Sequence, residues 1–401
     1  MQERENHVLA LDGVRGLAIL SVFLLHYGGG ATSAILPIRL VGNLIKSGWL
    51  GVSLFFVLSG FLISGILWDS IGQAHWWRNF YIRRSLRIFP LYYFALLITL
   101  GSCIWVSHSF HFPAGIGVLA VYLQNLPSFF PTLSAMPALV QTGHFWSLAV
   151  EEQFYLFWPF ALMSLVGRRD IAKKMCIALF IASLLFRISA FVWSSIGEEW
   201  AYNCLPGRMG ELCAGAYLAF AVRGSSAERA LVFKYAATVT IGSFLLMLLV
   251  FSRVHAYTWR NFPVATYGLA VAGILFTGLV AQAMAPGRIQ WIFQRVPMVW
   301  LGKLSYGIYV YHLLFGPLYA AIARKLVHAS TGNSFFVCRF FVSAVLTILI
   351  SMVSFYFFER PVRELKTKFP MTQRRDDSSE TVSGPRDIRG ASVEIKEIGI
   401  F

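Results

Sequence analysis

"LDGVRGLAILSVFLLHYGGG", residues 11–30, has the length and apolarity of a membrane-crossing helix, yet it carries Asp12, Arg15 and His26. Charged groups are expensive inside a bilayer and are functional candidates by default. Arg15 and His26 stand eleven positions apart. That is close to three helical turns, so they share one face and lie about 16 Å apart along the axis. The stretch therefore reads as a helix in lipid with a polar, candidate catalytic face. The plainer alternative is an Arg15 that snorkels and a His26 that sits at the membrane interface.

The rest of the chain agrees with a membrane solvent. Of 401 residues, 57% are hydrophobic and 13% charged, against roughly 45–50% and about 25% in soluble domains. Mean hydropathy is +0.63. Apolar runs of about 20 residues recur, the length a helix needs to cross a bilayer. The strict alternation of barrel strands is absent. The predicted fold class is all-α, a polytopic helical membrane bundle. Ten spans are predicted, near 9–28, 48–68, 88–107, 145–166, 172–194, 209–222, 232–251, 263–283, 304–323 and 336–358. Pro and Gly in 113–143 suggest a re-entrant or surface segment there.

Charge sets the expected orientation. Arginine and lysine cluster in the loops 69–87, 167–174, 223–234 and 284–303, whereas 108–143 and 195–207 carry none. Basic loops face the cytoplasm, which places both termini inside. Residues 1–360 form the expected transmembrane domain, and the polar 361–401 an expected disordered cytoplasmic tail. The net charge of +15 is explained by those loops and the tail, so nucleic acid is not an expected partner. Five scattered cysteines with no CxxC pair indicate neither a disulfide framework nor a zinc site. No HExxH spacing occurs, and no metal is expected. The leader MQEREN, mixed in charge, does not read as a signal peptide.

Further polar groups fall within or beside the spans. Glu151 and Glu152, in HFWSLAVEEQFYLFWP, are placed by the assigned topology level with His26. A carboxylate there fixes the imidazole tautomer and raises its basicity, with helix capping as the alternative. Arg84 and Arg87, in YIRRSLRIFPLYY, share a face, and their forked donors suit phosphate oxygens. A cytoplasmic-side anchor explains them equally well. Arg208 and Glu211 open the sixth span as either an intrahelical ion pair or a substrate contact. Ser59 and Gly60, in FFVLSGFLIS, make a small notch, either for close helix packing or for a ligand. His312, in SYGIYVYHLLF, reads as a hydrogen-bonded structural histidine.

Taken together, these segments resemble the acyltransferase-3 family of membrane O-acyltransferases. The resemblance rests on Arg15 and His26 in LDGVRGLAILSVFLLH, on Arg84 and Arg87 before Ile88 and Pro90, and on FFVLSGFLIS, WSLAVEEQFY, LGKLSYGIYVYH and FYFFERPVRE. These motifs run in order from residue 11 to 364. The resemblance implies the stand-alone type, without a fused outer-face hydrolase-like domain, in a bacterial inner membrane. It implies acyl-CoA, most commonly acetyl-CoA, as co-substrate, and a hydroxyl of a surface or exported carbohydrate as acceptor. Arg84 and Arg87 would hold the coenzyme A phosphates, and the pantetheine arm would thread past Ser59 and Gly60. That arm, on the order of 15–20 Å extended, compares with the Arg15–His26 separation of about 16 Å. His26 would act as base or be acylated, Glu152 would orient it, and Arg15 would anchor the donor or balance charge. Glu151, Arg208 and Glu211 are expected at the acceptor. The competing classes are a transporter or flippase, which moves substrate without consuming coenzyme A, and a scaffold indifferent to His26.

Overall fold

A computed structural model describes residues 2–28, 36–109, 112–254 and 258–371, and among them it is helical with no strands. Each of the ten expected spans coincides with helix. The long helices are α1 (Gln2–Tyr27), α2 (Leu50–Ser70), α3 (Trp76–Ser107), α4 (Trp146–Met163), α5 (Arg169–Trp193), α6 (Leu205–Ala221) and α7 (Ser226–Val254). They continue with α8 (Leu269–Met284), α9 (Val296–Leu314), α10 (Gly316–Val327) and α11 (Asn333–Ser354). By length and apolarity, seven helical segments among the described residues suffice to cross a membrane, or eight with the α9–α10 pair. That pair is a correction. The expected span 304–323 is two helices bent by 66°, broken at Phe315. The proline of Gly316-Pro317 follows at once, where it opens a new helix more readily than it continues one.

Apolarity alone does not say which helices face lipid. The stretch containing α2 and the helix α7 are both strongly apolar, with mean hydropathies of 2.3 and 1.9, but 78% of the first lies buried inside the protein against 17% of the second. The difference lies in small residues. Gly60 of α2 meets the Leu212 carbonyl of α6, and a Cβ there would stand 1.9 Å from that oxygen. Gly215 of α6 meets Val57 of α2 in the same way. In lipid, where hydrophobic burial no longer drives association, such close backbone approach is what holds helices together. α7 instead presents Leu245, Leu246, Leu248 and Leu249 to its surroundings.

Two boundaries differ from expectation. α3 begins twelve residues before the predicted third span, so Arg84 and Arg87 lie two to three turns inside a continuous helix. The last helical run passes residue 360 and ends at Lys368. The remainder of the expected tail, residues 372–401, lies outside the described residues. The segment 113–143 folds into two short helices, Ala114–Ala120 and Phe130–Ser134, joined by turns. Within it, Gln124 and Asn125 are buried.

Candidate active site

Where α1, α2, α3, α4 and α9 converge they leave a narrow cavity of about 80 Å³. Arg15, Ser59, Arg84, Arg87, Glu151 and Glu152 all line it. Its basic side is held in place by its neighbours. Arg15 is paired with Asp12 at 2.7 Å, one helical turn earlier. The Arg84 guanidinium lies 4.4 Å from the centre of the Tyr155 ring. Arg363, paired with Glu359 at 3.7 Å, adds its charge to those acting on Arg87. On the acidic side, Glu151 accepts hydrogen bonds from Ser59 at 2.7 Å and Tyr155 at 2.9 Å. Glu152 keeps one buried carboxylate oxygen without a hydrogen-bond partner among the described residues. Three guanidinium groups, from Arg15, Arg84 and Arg87, thus share this narrow bore with the two carboxylates of Glu151 and Glu152.

A second, larger cavity of about 760 Å³ adjoins the first, and Val52 and Tyr309 line both. His26 opens into this one. Its Nδ1 lies 2.8 Å from the Val22 carbonyl oxygen. A carbonyl can only accept, so Nδ1 carries the proton and Nε2 carries the lone pair of a neutral ring. Two more imidazoles follow edge to face, with ring centres 5.1 Å apart from His26 to His312 and 5.0 Å from His312 to His144. The same logic fixes both. His312 donates from Nδ1 to the Tyr309 carbonyl at 2.7 Å, and His144 donates from Nε2 to the Val310 carbonyl at 3.1 Å. His144 stands in the turn Gly143–Phe145 ahead of α4, where burial pushes its imidazole down to about 3. It is neutral at any physiological pH.

The structure therefore separates residues that the sequence reading joined. Arg15 and His26 share helix α1 but open onto different cavities. Glu152 lines the arginine cavity, where Arg84 is the attractive charge acting on it, and the backbone of Val22 sets the His26 tautomer instead. The reason is depth. α4 begins at Trp146, so Glu151 and Glu152 lie more than one turn inside it, level with arginines that are themselves deep within α3. Gly60 lines neither cavity and lies at the α2–α6 crossing, the packing alternative that its notch allowed.

Arg208 and Glu211, expected at the acceptor, are placed away from both cavities. Both are fully buried and line neither cavity. They join a polar network that includes Arg187, with Arg208–Glu211 at 3.2 Å and Arg187–Glu211 at 3.7 Å. Arg208 donates to Ser53 at 2.9 Å, and its guanidinium lies 4.7 Å from the Tyr202 ring centre. Because Tyr202 is part of the histidine-cavity wall, Arg208 supports that wall from behind.

One group escaped the sequence reading, and another was noted there without a role. His144 is the first letter of the HFWSLAVEEQFY stretch, and a histidine leading an apolar run was the available signal. Asp12 stands three residues from Arg15, a spacing that by itself predicts an ion pair. Neither the Val22 carbonyl nor Tyr309 carries a side-chain signature that could have flagged it.

A family model described as an acyltransferase domain matches residues 8–356. Among curated proteins, the chain is 28% identical over 382 residues to a peptidoglycan O-acetyltransferase of Listeria monocytogenes, covering 89% of this chain and 56% of that one. It is 29% identical to a putative peptidoglycan O-acetyltransferase of Bacillus subtilis, covering 90% and 56%. A putative O-acetyltransferase of Staphylococcus aureus is 27% identical, with 90% and 58% covered. The chain thus spans a little over half the length of these relatives. No solved structure matches. With the family model covering most of the chain and membrane-length helices throughout, the protein is a multi-pass member of the acyltransferase-3 family.

Proposed function

We propose that this protein moves an acyl group, acetyl in the simplest case, from acyl-CoA to a hydroxyl of a cell-envelope carbohydrate. The observation that carries this reading is the pairing of cavities. One is narrow and lined by guanidinium groups; the other is wide and holds a tautomer-fixed imidazole; Val52 and Tyr309 are common to both. That layout suits a phosphate-bearing donor entering on one side and a sugar on the other. The relatives are acetyltransferases by name, two of them of peptidoglycan, which favours a wall glycan as acceptor and a bacterial inner membrane as location. The basic loops favour a cytoplasmic donor.

The chemistry follows from the groups present. An 80 Å³ bore accepts a chain but not a nucleotide, so Arg15, Arg84 and Arg87 would meet the donor's arm and its nearer oxygens. The coenzyme's nucleotide would stay at the mouth of the bore. His26 Nε2 takes the proton from the acceptor hydroxyl as that oxygen attacks the thioester carbonyl carbon. The C–S bond breaks, and the thiolate leaves with the proton returned from the imidazolium. The products are an ester and free coenzyme A. The Val22 carbonyl steadies the Nδ1–H as the ring becomes cationic, which is the service a carboxylate gives in other acid–base pairs. Glu151 and Glu152 belong to the donor side, where they balance the three arginines.

The test is coenzyme A release from labelled acetyl-CoA by the protein in lipid nanodiscs, with wall-glycan fragments as acceptors. Release by the parent that disappears in His26→Ala is the expected result. If folded parent protein releases none with any acyl-CoA and acceptor, transfer is the wrong reaction and the paired cavities become a permeation path.

A further inference from the structure

We infer that the histidine cavity is an acceptor site built for an uncharged, hydroxyl-rich sugar unit. The inference rests on the transfer reading for the identity of the reacting hydroxyl. Its selectivity argument stands on the cavity itself.

The first observation is what the cavity leaves unsatisfied. Gln124 donates its amide protons to the Tyr92 hydroxyl at 3.1 Å and the Phe145 carbonyl at 2.9 Å. A carbonyl cannot donate, so this orientation of the amide is fixed. Gln124 Oε1 and His144 Nδ1 are buried with no partner among the described residues and are closed off from the cavity, so they offer a ligand nothing. His26 does open into it, with its Nε2 lone pair. That acceptor is met by an O–H of a hydroxyl-rich ligand. A carboxylate or phosphate, rich only in acceptors, does not meet it.

Charge points the same way. No arginine or lysine is among the described residues lining this cavity. Its one carboxylate, Glu199, is already engaged, by Asn203 at 2.8 Å and by Arg260 at 3.0 Å. Behind the wall, Arg187, Arg208 and Glu211 leave a net positive charge. They are fully buried and offer a ligand no hydrogen bond. The nearest cations are already engaged, Arg260 by Glu198 and Glu199 and Arg339 by the Tyr27 ring, so an anionic sugar entering here would lose water and gain no cation of its own, an expensive exchange.

Shape supplies the third argument. A volume of about 760 Å³ falls within the roughly 300–1,000 Å³ of small-molecule sites. One side is an aromatic wall. Tyr202 stacks on Trp259 with ring centres 4.2 Å apart and leans on Trp146 at 4.9 Å. Rings held this rigidly present π surface at little entropic cost. The negative face of a ring attracts the weakly positive C–H groups on the flat side of a pyranose. Leu133, Met136 and Val140 also line it.

The experiment measures binding and turnover separately. Protein in nanodiscs is titrated calorimetrically, without donor, with a neutral oligosaccharide and with the matched oligosaccharide of uronic acids. The neutral sugar is expected to bind at least roughly tenfold more tightly. Trp259→Ala should weaken it, and Gln141→Lys, which sets a cation at the cavity, should narrow or invert the preference. Equal or tighter binding of the acidic sugar overturns the inference. So does His26-dependent consumption of acetyl-CoA by a protein that binds neither sugar, because the acceptor then sits elsewhere. Selective binding of the neutral sugar with no acetyl-CoA consumed leaves the site standing and refutes the transfer reading alone.

Discussion

Replacing Glu211 by glutamine decides whether the Arg187–Arg208–Glu211 network is scaffold or substrate contact. The change keeps shape and removes one negative charge. Glu211 Oε1 lies 3.2 Å from Arg208, and its other oxygen lies 3.7 Å from Arg187. Ser53 also donates to it at 3.3 Å. All three charged side chains are at most 1% exposed. Two guanidinium groups therefore share a single counter-charge with no water to replace it. Breaking a buried pair by removing one partner costs about 3–5 kcal/mol, and two cations facing each other place this case toward the upper end. The expected result is a large fall in the unfolding temperature of the protein in detergent, with the acceptor KM unchanged in whatever folds. A second substitution completes the test. Arg187→Met in the Glu211→Gln background removes the surplus cation, so the double variant should be more stable than Glu211→Gln alone. That non-additivity is the signature of a shared network. A Glu211→Gln protein that melts like the parent yet needs far more acceptor would refute the reasoning and return Glu211 to the substrate.

Three further expectations concern other parts of the site. Gly60→Ala sets a Cβ 1.9 Å from the Leu212 carbonyl oxygen, so it should cost about 1–3 kcal/mol or more by overpacking. It should lower thermal stability with no selective loss of donor affinity; a selective rise in acyl-CoA KM at unchanged stability would restore the ligand notch. Arg87→Ala should weaken acyl-CoA binding on the order of tenfold or more, as loss of a charge-assisted hydrogen bond does, with folding less affected. Unchanged donor affinity would return it to a membrane anchor. A reporter fused after residue 401 should report the cytoplasm, and an external signal would reverse the proposed orientation and with it the donor-inside scheme.

Helix identity was legible because a bilayer imposes a length on every span, and composition records it. The shared face of Arg15 and His26 was legible for a similar reason, since 3.6-residue periodicity is a property of the helix alone. Relative depth was not. It depends on where each helix begins, and the starts of α3 and α4 are set by turns whose geometry carries no hydropathy signal. α4 begins within a residue of its expected start, but α3 begins twelve residues before its own, which carries Arg84 and Arg87 inward to the level of Glu152. The division of helices into buried and lipid-facing was equally hidden, because lipid and protein core select the same residues. Glycines at helix crossings such as α2–α6 separate the two cases, and a glycine in a sequence does not say whether it faces backbone or ligand.

The displacement of Glu152 changes the chemistry, and the change is coherent. A carboxylate beside His26 would have placed a formal charge in the wide cavity. With the Val22 carbonyl in that role, the imidazole keeps its tautomer while the cavity around it stays without an unpaired ion. The carboxylates instead sit among guanidinium groups that would otherwise repel one another in a narrow bore. Charge is therefore concentrated in the arginine cavity, where phosphate or thioester oxygens can use it. The histidine cavity has a neutral acceptor and aromatic faces, which suit a sugar hydroxyl. Tyr309 stands between the two. Its hydroxyl donates to the His144 carbonyl at 2.7 Å and lies 2.5 Å from Ser147 Oγ. Both contacts hold the one hydroxyl, and so fix the Tyr309 side chain in the wall common to the two cavities.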